Sequence, residues 1–541
     1  MTKKEIEISL NTILTLLLLT YLLFIFYLSF NVVIKNPISF GDEGFHTSLG
    51  RYIALEKEYP KYIPFEGSAL IKDGFYRPPL WNLILASFIF LFGINETIIK
   101  TITILIHFFL GLSTYVLAKR IFEQKIAIIS SILLVSFQSV LTYTVLFYYA
   151  LLLLFFVNLS LLCFLIYIKE SNKKFLILSS VFASLALLTN QFAISIYAIY
   201  MFYIFLKSIN NFKNIKQITK EYSVFILILL IIPSGYLIRN TILYQTPICF
   251  SIPFIKNLFD ISNCKVKNFE EKYSFVGQAI PIGTEAKTFS IGFMNYLEFA
   301  YFDPKFVILP LLIGLFLLYF EKNRISNILL ISFIFYTLLM IELGNTRAED
   351  TARYSLGFAS LISLIAAIAY GKILDFSFKI NKYLPYIIIL FILVVCLYVI
   401  RNRLEVLNNV KRWDPSFFEA CNWIKFNIER NATIATIWGH NGAWCSERNM
   451  GPMLADILLS YDLNYILEVV EKNKIDYFWI QKASIDPLNR GYAGNYPIKF
   501  IRILVENPQY FIKVYENGDK IESCYQTCYG QTIYKINITK I

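Results

Sequence analysis

Charged residues are scarce in this sequence: 16% of its 541 positions are Asp, Glu, Lys or Arg, where a soluble domain averages about 25%. Also missing are a glycine-rich phosphate loop, cysteine spacing of the zinc type and an RNA-binding signature. The formal charge of +12 therefore does not point to nucleic acid, and no nucleic-acid partner is expected. Internal repeats and low-complexity linkers are absent as well. In excess are apolar residues, 57% of the chain, with a mean hydropathy of +0.56. They fall in charge-free blocks of roughly 17–25 residues, the length that crosses a hydrocarbon core of about 30 Å. The expected fold class is a polytopic α-helical membrane protein.

The first block, Ile8–Ile34, is too long for a signal-peptide core and lacks a small-residue cleavage site, so it reads as a retained anchor helix. With it, about eleven crossings are expected by length. The others lie near 97–118, 126–144, 147–168, 175–189, 191–206, 222–239, 305–320, 325–342, 356–371 and 384–401. The connections Lys119–Lys125, Lys169–Lys174, Lys207–Lys220, Glu321–Arg324 and Lys372–Lys382 are short and lysine-rich. Placing all five in the cytoplasm with Lys3 and Lys4 satisfies the positive-inside rule. The segment Leu80–Phe92 decides whether that assignment closes. As a helix it would span only about 20 Å, so it reads as a re-entrant or interfacial helix that returns to the outer face. The alternative is a short true crossing.

Four pieces then face outward: the first loop, 35–79, with its re-entrant continuation, loop 240–304, loop 343–355, and everything after about residue 402. The expected location is the cell membrane, multi-pass, with the N-terminus cytoplasmic and the C-terminal domain outside. The tail mixes an amphipathic run, Phe417–Phe426, with β-like runs at Thr433–Trp438, Tyr477–Gln481 and Thr532–Ile538. This predicts a small α/β domain over 403–541, after a membrane domain over 1–402. Cys163 and Cys396 fall inside spans, and the six outer cysteines pair by proximity as Cys249 with Cys264, Cys421 with Cys445 and Cys524 with Cys528. An even number outside suits an oxidising compartment, although six cysteines allow other connectivities and free buried thiols.

The chemistry concentrates on the outer edges. The first loop carries Gly41-Asp42-Glu43-Gly44-Phe45-His46 and then Phe75-Tyr76-Arg77-Pro78-Pro79-Leu80-Trp81. A carboxylate at the membrane face can take a proton from a hydroxyl nucleophile or hold a metal ion; solvated loop charge is the other reading. The Pro-Pro pair fixes an extended backbone that displays Arg77, and arginine suits bidentate recognition of phosphate. Arg239-Asn240 ends the span at 222–239, and Arg353-Tyr354 precedes the span at 356–371. Such arginines also snorkel or anchor to headgroups. Three of them on three outer edges, with acids on two of the same loops, suit a pocket for an anionic lipid head with a base nearby.

Several motifs occur together in order: the Asp42-Glu43 pair, Tyr76-Arg77-Pro78-Pro79-Leu80-Trp81 leading to Leu91-Phe92-Gly93, Leu187-Leu188-Thr189-Asn190-Gln191, Arg239-Asn240 with Thr246-Pro247, and Arg353-Tyr354. On this set, over residues 8–375, the chain resembles the GT-C glycosyltransferases, in pattern the protein O-mannosyltransferases and aminoarabinose transferases. The tail segment Val514-Tyr515-Glu516-Asn517-Gly518-Asp519 looks like the soluble domains of prokaryotic members. The resemblance implies an inverting transfer of a sugar from a polyprenyl-phosphate donor to a hydroxyl acceptor outside the membrane, whether protein, lipid or glycan. It implies Asp42 as catalytic carboxylate supported by Glu43, and Arg77 as the donor-phosphate ligand; from their places on the other outer edges, Arg239 and Arg353 are expected to share that phosphate. His46, Tyr76, Asn240 and Tyr354 are the expected substrate contacts. No cofactor is implied with certainty, and a divalent metal is left open. Phe45 and His46 depart from the family's Arg-Tyr pair, Thr142–Ala150 lacks its further acid, and Asn190 stands in place of a lysine.

A transporter or flippase of lipid-linked sugars would share the lipid pocket, but it needs polar residues along a path, and the spans offer mainly His107, Gln138 and Asn158. An inactive scaffold would leave the outer-loop motifs unexplained. Oligosaccharyltransferase chemistry is disfavoured, because Ile437-Trp438-Gly439-His440-Asn441-Gly442-Ala443-Trp444 does not match the expected paired-tryptophan acceptor motif.

Overall fold

The computed structural model describes residues 3–38, 41–60, 77–210, 215–244, 247, 307–321, 323–346, 356–381, 383–409, 415–437, 439–452, 457–458, 460, 462–486, 496–524 and 528–537. Fourteen helices form its first part in the described residues: α1 (Lys3–Val33), α2 (Gly41–Glu56), α3 (Leu80–Phe92), α4 (Glu96–Ile121), α5 (Gln124–Ser136), α6 (Gln138–Val145), α7 (Tyr149–Glu170), α8 (Lys173–Thr189), α9 (Ile194–Asn210), α10 (Ile215–Tyr244), α11 (Ile308–Glu321), α12 (Arg324–Thr346), α13 (Ala359–Ile380) and α14 (Leu384–Asn409).

Each expected crossing overlaps one of these helices, except 126–144, which falls on the pair α5 and α6, and the count of eleven full spans is not confirmed among the described residues. Seven helices among the described residues are long and apolar enough to cross, or eight if α5 and α6, bent by 53°, form one broken span. Helices α8 and α11 have 17 and 14 residues, about 26 and 21 Å at 1.5 Å per residue, which is shorter than a hydrocarbon core. The span expected at 222–239 runs further, through Pro233 to Tyr244. A proline is tolerated there because neighbouring groups in a bundle can satisfy the freed carbonyl.

Polar contacts knit the lysine-rich connections together at one end of the bundle. Arg120, ending α4, pairs with Glu170 of α7 at 2.7 Å, and Lys169 donates to the carbonyls of Arg120 and Ile121. Lys125 of α5 pairs with Asp375 of α13, whose Lys372 approaches Glu321 of α11. Lys207 of α9 donates to the Tyr222 hydroxyl of α10, which also receives the Tyr167 hydroxyl of α7.

At the opposite end of α4, buried Lys100 donates to the carbonyls of Val33, the last residue of α1, and of Asn36 just past it, and pairs with Glu96 at 2.6 Å. Glu96 in turn accepts from the amide of Ile38. A cation on the last carbonyls of a helix is favourable. These bonds hold the end of α1 against the start of α4, so the chain between them leaves and re-enters the bundle at the same end. Helix α3 has 13 residues, about 20 Å, and is one of the short apolar helices rather than a candidate span. It buries Trp81, Leu85 and Ile89 in the bundle core and leaves Phe90, Leu91 and Phe92 exposed.

The first outer loop differs from expectation: residues 41–56 are helical. Gly41, Gly44 and Gly50 weaken a helix in isolation, but packing requires two of them. A Cβ at Gly50 would lie 2.7 Å from Leu85 Cβ of α3, and one at Gly44 would overlap the side chain of Asn441.

The tail holds α15 (Pro415–Asn427), β1 (Thr433–Thr436), α16 (Gly439–Ser446), β2 (Asn449–Pro452), α17 (Leu463–Lys472), β3 (Tyr477–Gln481), β4 (Ile485–Asp486), β5 (Tyr496–Pro497), α18 (Ile498–Glu506), β6 (Phe511–Gly518) and β7 (Gly530–Ile536). Five strands form one mixed sheet in the order β2-β1-β3-β7-β6, with β1 parallel to β2 and β3, and β7 antiparallel to β3 and β6. Helices α17 and α18 bury their apolar stripes on one face of it, against Phe478 and Phe511. Its other face meets the bundle: Phe45, Leu49 and Ile53 of α2 and Ala86 of α3 share a core with Phe417, Trp479 and Ile533. Disulfides join Cys421 to Cys445 and Cys524 to Cys528, whereas Cys249 and Cys264 lie outside the described residues. Cys163 and Cys396 are free and buried within helices of the bundle.

Candidate active site

Helix α2 is the element that both halves of the molecule grip. Towards the tail, Arg51 reaches across to the end of α16, its Nη1 donating to Ala443 O at 2.7 Å and its Nη2 to Glu447 O at 2.8 Å. Burial lowers the pKa of this guanidinium from its ordinary value, against the opposing pull of Glu447. Towards the bundle, buried His46 lies with Nδ1 2.7 Å from Asn82 Oδ1 of α3. An amide oxygen only accepts, so the imidazole carries a proton on Nδ1. The ring also packs edge-on against Tyr149 at 5.1 Å.

The start of α2 holds the two acids. Glu43 is buried, and position 42 lies one helical turn before His46. The side chain of Asp42 lies outside the described residues, as do Tyr76, Arg353 and Tyr354. The arginine expected beside Pro78-Pro79 is described: Arg77 places its guanidinium 4.2 Å from the centre of the Phe45 ring on α2 and makes no ion pair with a described residue. Stacking on an aromatic face leaves the planar edge of an arginine available for a bidentate anion.

The second arginine converges on the same place. Arg239 of α10 lies 5.0 Å from the Tyr59 ring and donates to Pro60 O at 2.7 Å. Its Nη1 also donates to Asn240 Oδ1 at 3.1 Å, and Asn240 Nδ2 donates to Pro247 O at 3.4 Å. Asn240, expected as a substrate contact, is wholly buried and accepts a hydrogen bond from Arg239. Tyr59 closes the link by donating its hydroxyl to Arg77 O at 3.3 Å. Burial pushes the Tyr59 pKa well above its ordinary value, opposed by the nearby Arg239 guanidinium, so the phenol stays neutral. Arg77, Tyr59, Arg239, Asn82 and His46 form one connected cluster around the first turns of α2.

Tyr59, Asn82, Arg51 and Asn441 were not singled out from the sequence. Only Asn82 left a signal there, an amide in the otherwise nearly apolar run Leu80–Phe92. Where the expected further acid is missing, Thr142 accepts from Arg403 Nε of α14 at 2.9 Å. A divalent metal finds no group of three His, Cys, Asp or Glu among the described residues.

A helical membrane bundle capped by a small α/β domain has the fold of the GT-C glycosyltransferases. Residues 76–237 match the family described as dolichyl-phosphate-mannose-protein mannosyltransferase, a stretch from the approach to α3 into α10. Among solved structures the chain is similar to ArnT from Cupriavidus metallidurans bound to undecaprenyl phosphate, with 11% identity over 96% of this chain and 97% of that one, at a TM-score of 0.60. It is also similar to the Archaeoglobus fulgidus oligosaccharyltransferase in the apo form, with 14% identity over 89% of this chain and 72% of that one, at a TM-score of 0.58. The same enzyme, AglB, in complex with an inhibitory peptide and a dolichol-phosphate matches with the same figures. No curated protein matches the chain in sequence.

Proposed function

We propose that the protein is a glycosyltransferase that moves a sugar from a polyprenyl-phosphate-linked donor to an acceptor hydroxyl on the outer side of the membrane, with inversion. The observation that carries this reading is the placement of Arg77 on Phe45 of α2, three residues from Asp42, with Tyr59 linking it to Arg239. Positive charge is thereby concentrated beside the helix that starts with Asp42 and Glu43. In the proposed reaction Asp42 takes the proton of the acceptor hydroxyl as its oxygen attacks the anomeric carbon. The bond from that carbon to the phosphate oxygen breaks on the opposite face. Arg77 and Arg239 neutralise the charge that develops on the departing lipid phosphate. Two structural neighbours are complexes with undecaprenyl phosphate and with a dolichol-phosphate, which supports a ligand of this class.

The polar residues of the spans favour a transferase over a conduit. His107 is held by Val135 O at 2.9 Å, and Asn158 donates to Thr114 at 2.9 Å, both buried in packing contacts. The test is Asp42→Asn, assayed with a labelled polyprenyl-phosphate sugar. Loss of a positioned general base costs about 10²- to 10⁴-fold in rate. Undiminished transfer by the folded, membrane-inserted variant would remove the mechanism.

A further inference from the structure

The carboxamide of Asn441 is buried to 2% exposure, and neither its Oδ1 nor its Nδ2 has a hydrogen-bond partner among the described residues. Native structures leave few buried polar groups unmade, because each costs free energy. Asn441 belongs to the tail, yet it leans on the first turn of α2, where only a glycine at position 44 leaves room for its oxygen. Nothing about its position is loose. Arg51 fixes the end of α16 to α2, Cys445 ties α16 to α15, and a Cβ at Gly442 would lie 2.6 Å from the Trp479 ring. A rigid carboxamide without a partner among the described residues is thus held against Gly44, two residues along α2 from Asp42.

We infer that Asn441 is a substrate-binding residue contributed by the tail, and that it hydrogen-bonds hydroxyls of the sugar carried by the donor. This rests on the function proposed above. The chemistry selects the partner: one accepting oxygen beside two amide donors matches neighbouring sugar hydroxyls, each of which donates and accepts. A phosphate only accepts and would meet the repelling amide oxygen, and the arginines that suit it stand on other elements. A site built to pair a hydroxyl also discriminates against a ligand lacking it, since the amide is then left unpaired.

The test compares the affinity of the full-length, detergent-solubilised protein for undecaprenyl phosphate with and without an attached mannose, glucose or galactose. The wild type is expected to prefer at least one sugar-bearing lipid. Asn441→Ala should lower that affinity about tenfold, the size of one good hydrogen bond, and leave binding of the sugar-free lipid unchanged. Asn441→Asp, which keeps only acceptors, should fall between. Gly44→Ala, which displaces the carboxamide, should reproduce the alanine loss. Retained binding of the sugar-free lipid shows that each variant is folded. Equal effects on both lipids, or none on either, would overturn the inference and leave the carboxamide holding water only. Failure of the wild type to bind either lipid would instead sink the proposed function, and this assignment with it.

Discussion

Arg51→Met tests whether the tail holds α2 in place. The substitution keeps an unbranched apolar stem and removes a guanidinium that donates to Ala443 O at 2.7 Å and Glu447 O at 2.8 Å. Hydrogen bonds from a charged donor contribute about 1.5–3 kcal/mol each, so the two amount to roughly 3–6 kcal/mol before offsets. Releasing a partly buried cation from its desolvation returns a few kcal/mol of that, leaving a net loss of about 1–3 kcal/mol. The loss should be local, because Phe45, Leu49 and Ile53 still anchor α2 in the shared core. At about 1.4 kcal/mol per tenfold, 2 kcal/mol corresponds to amide exchange roughly 30-fold faster. Hydrogen exchange followed by mass spectrometry should show this in peptides from α2 and α16, with β3 and β7 unchanged. Exchange in α2 and α16 within about twofold of the wild type would refute the clamp. So would an acceleration spread evenly through the sheet, which would report general destabilisation.

Two further outcomes are expected. Arg239→Gln removes the cation over Tyr59 and its bond to Pro60, so affinity for sugar-free undecaprenyl phosphate should fall about 10- to 100-fold in a direct binding titration, the worth of one or two charge-assisted bonds. Unchanged affinity would take the phosphate away from this cluster. In the tail, Glu516 is pushed up by burial but pulled down further by the Ile521 amide, Lys513 and Lys482, so its pKa is lowered overall. A depressed carboxylate adds stability that is present above its ordinary value of about 4.3 and lost as pH falls through the folded-state pKa. Thermal melts of the tail should therefore weaken below about pH 4 in the wild type, with a flatter acid limb in Glu516→Gln. Parallel limbs would remove the assignment.

The legible part of this protein was the part governed by solvent. Blocks of apolar residues as long as a bilayer core had to be helices, because no other short-range structure satisfies the backbone there. The lysine-rich connections collect at one end of the bundle, as their charge pattern required. Runs rich in β-branched and aromatic residues named β1, β3 and β7. Arg77 and Arg239 stood out because charge at a membrane edge needs a reason.

What the sequence did not disclose depends on contacts between distant residues. Helix α2 reads as a loop, because three glycines in sixteen residues lower its intrinsic helicity. Only the approach of Leu85 and Asn441 explains why two of those glycines are needed. Tyr59 and Asn441 are ordinary residues by type and neighbourhood, and they gain meaning when α10 and α16 arrive beside α2. Sequence alone determined which segments prefer lipid, which prefer water and which carry charge, since transfer free energy is a property of each segment. The tertiary structure decided which groups meet at the first turns of α2, because that follows from packing many elements at once and belongs to no single one of them.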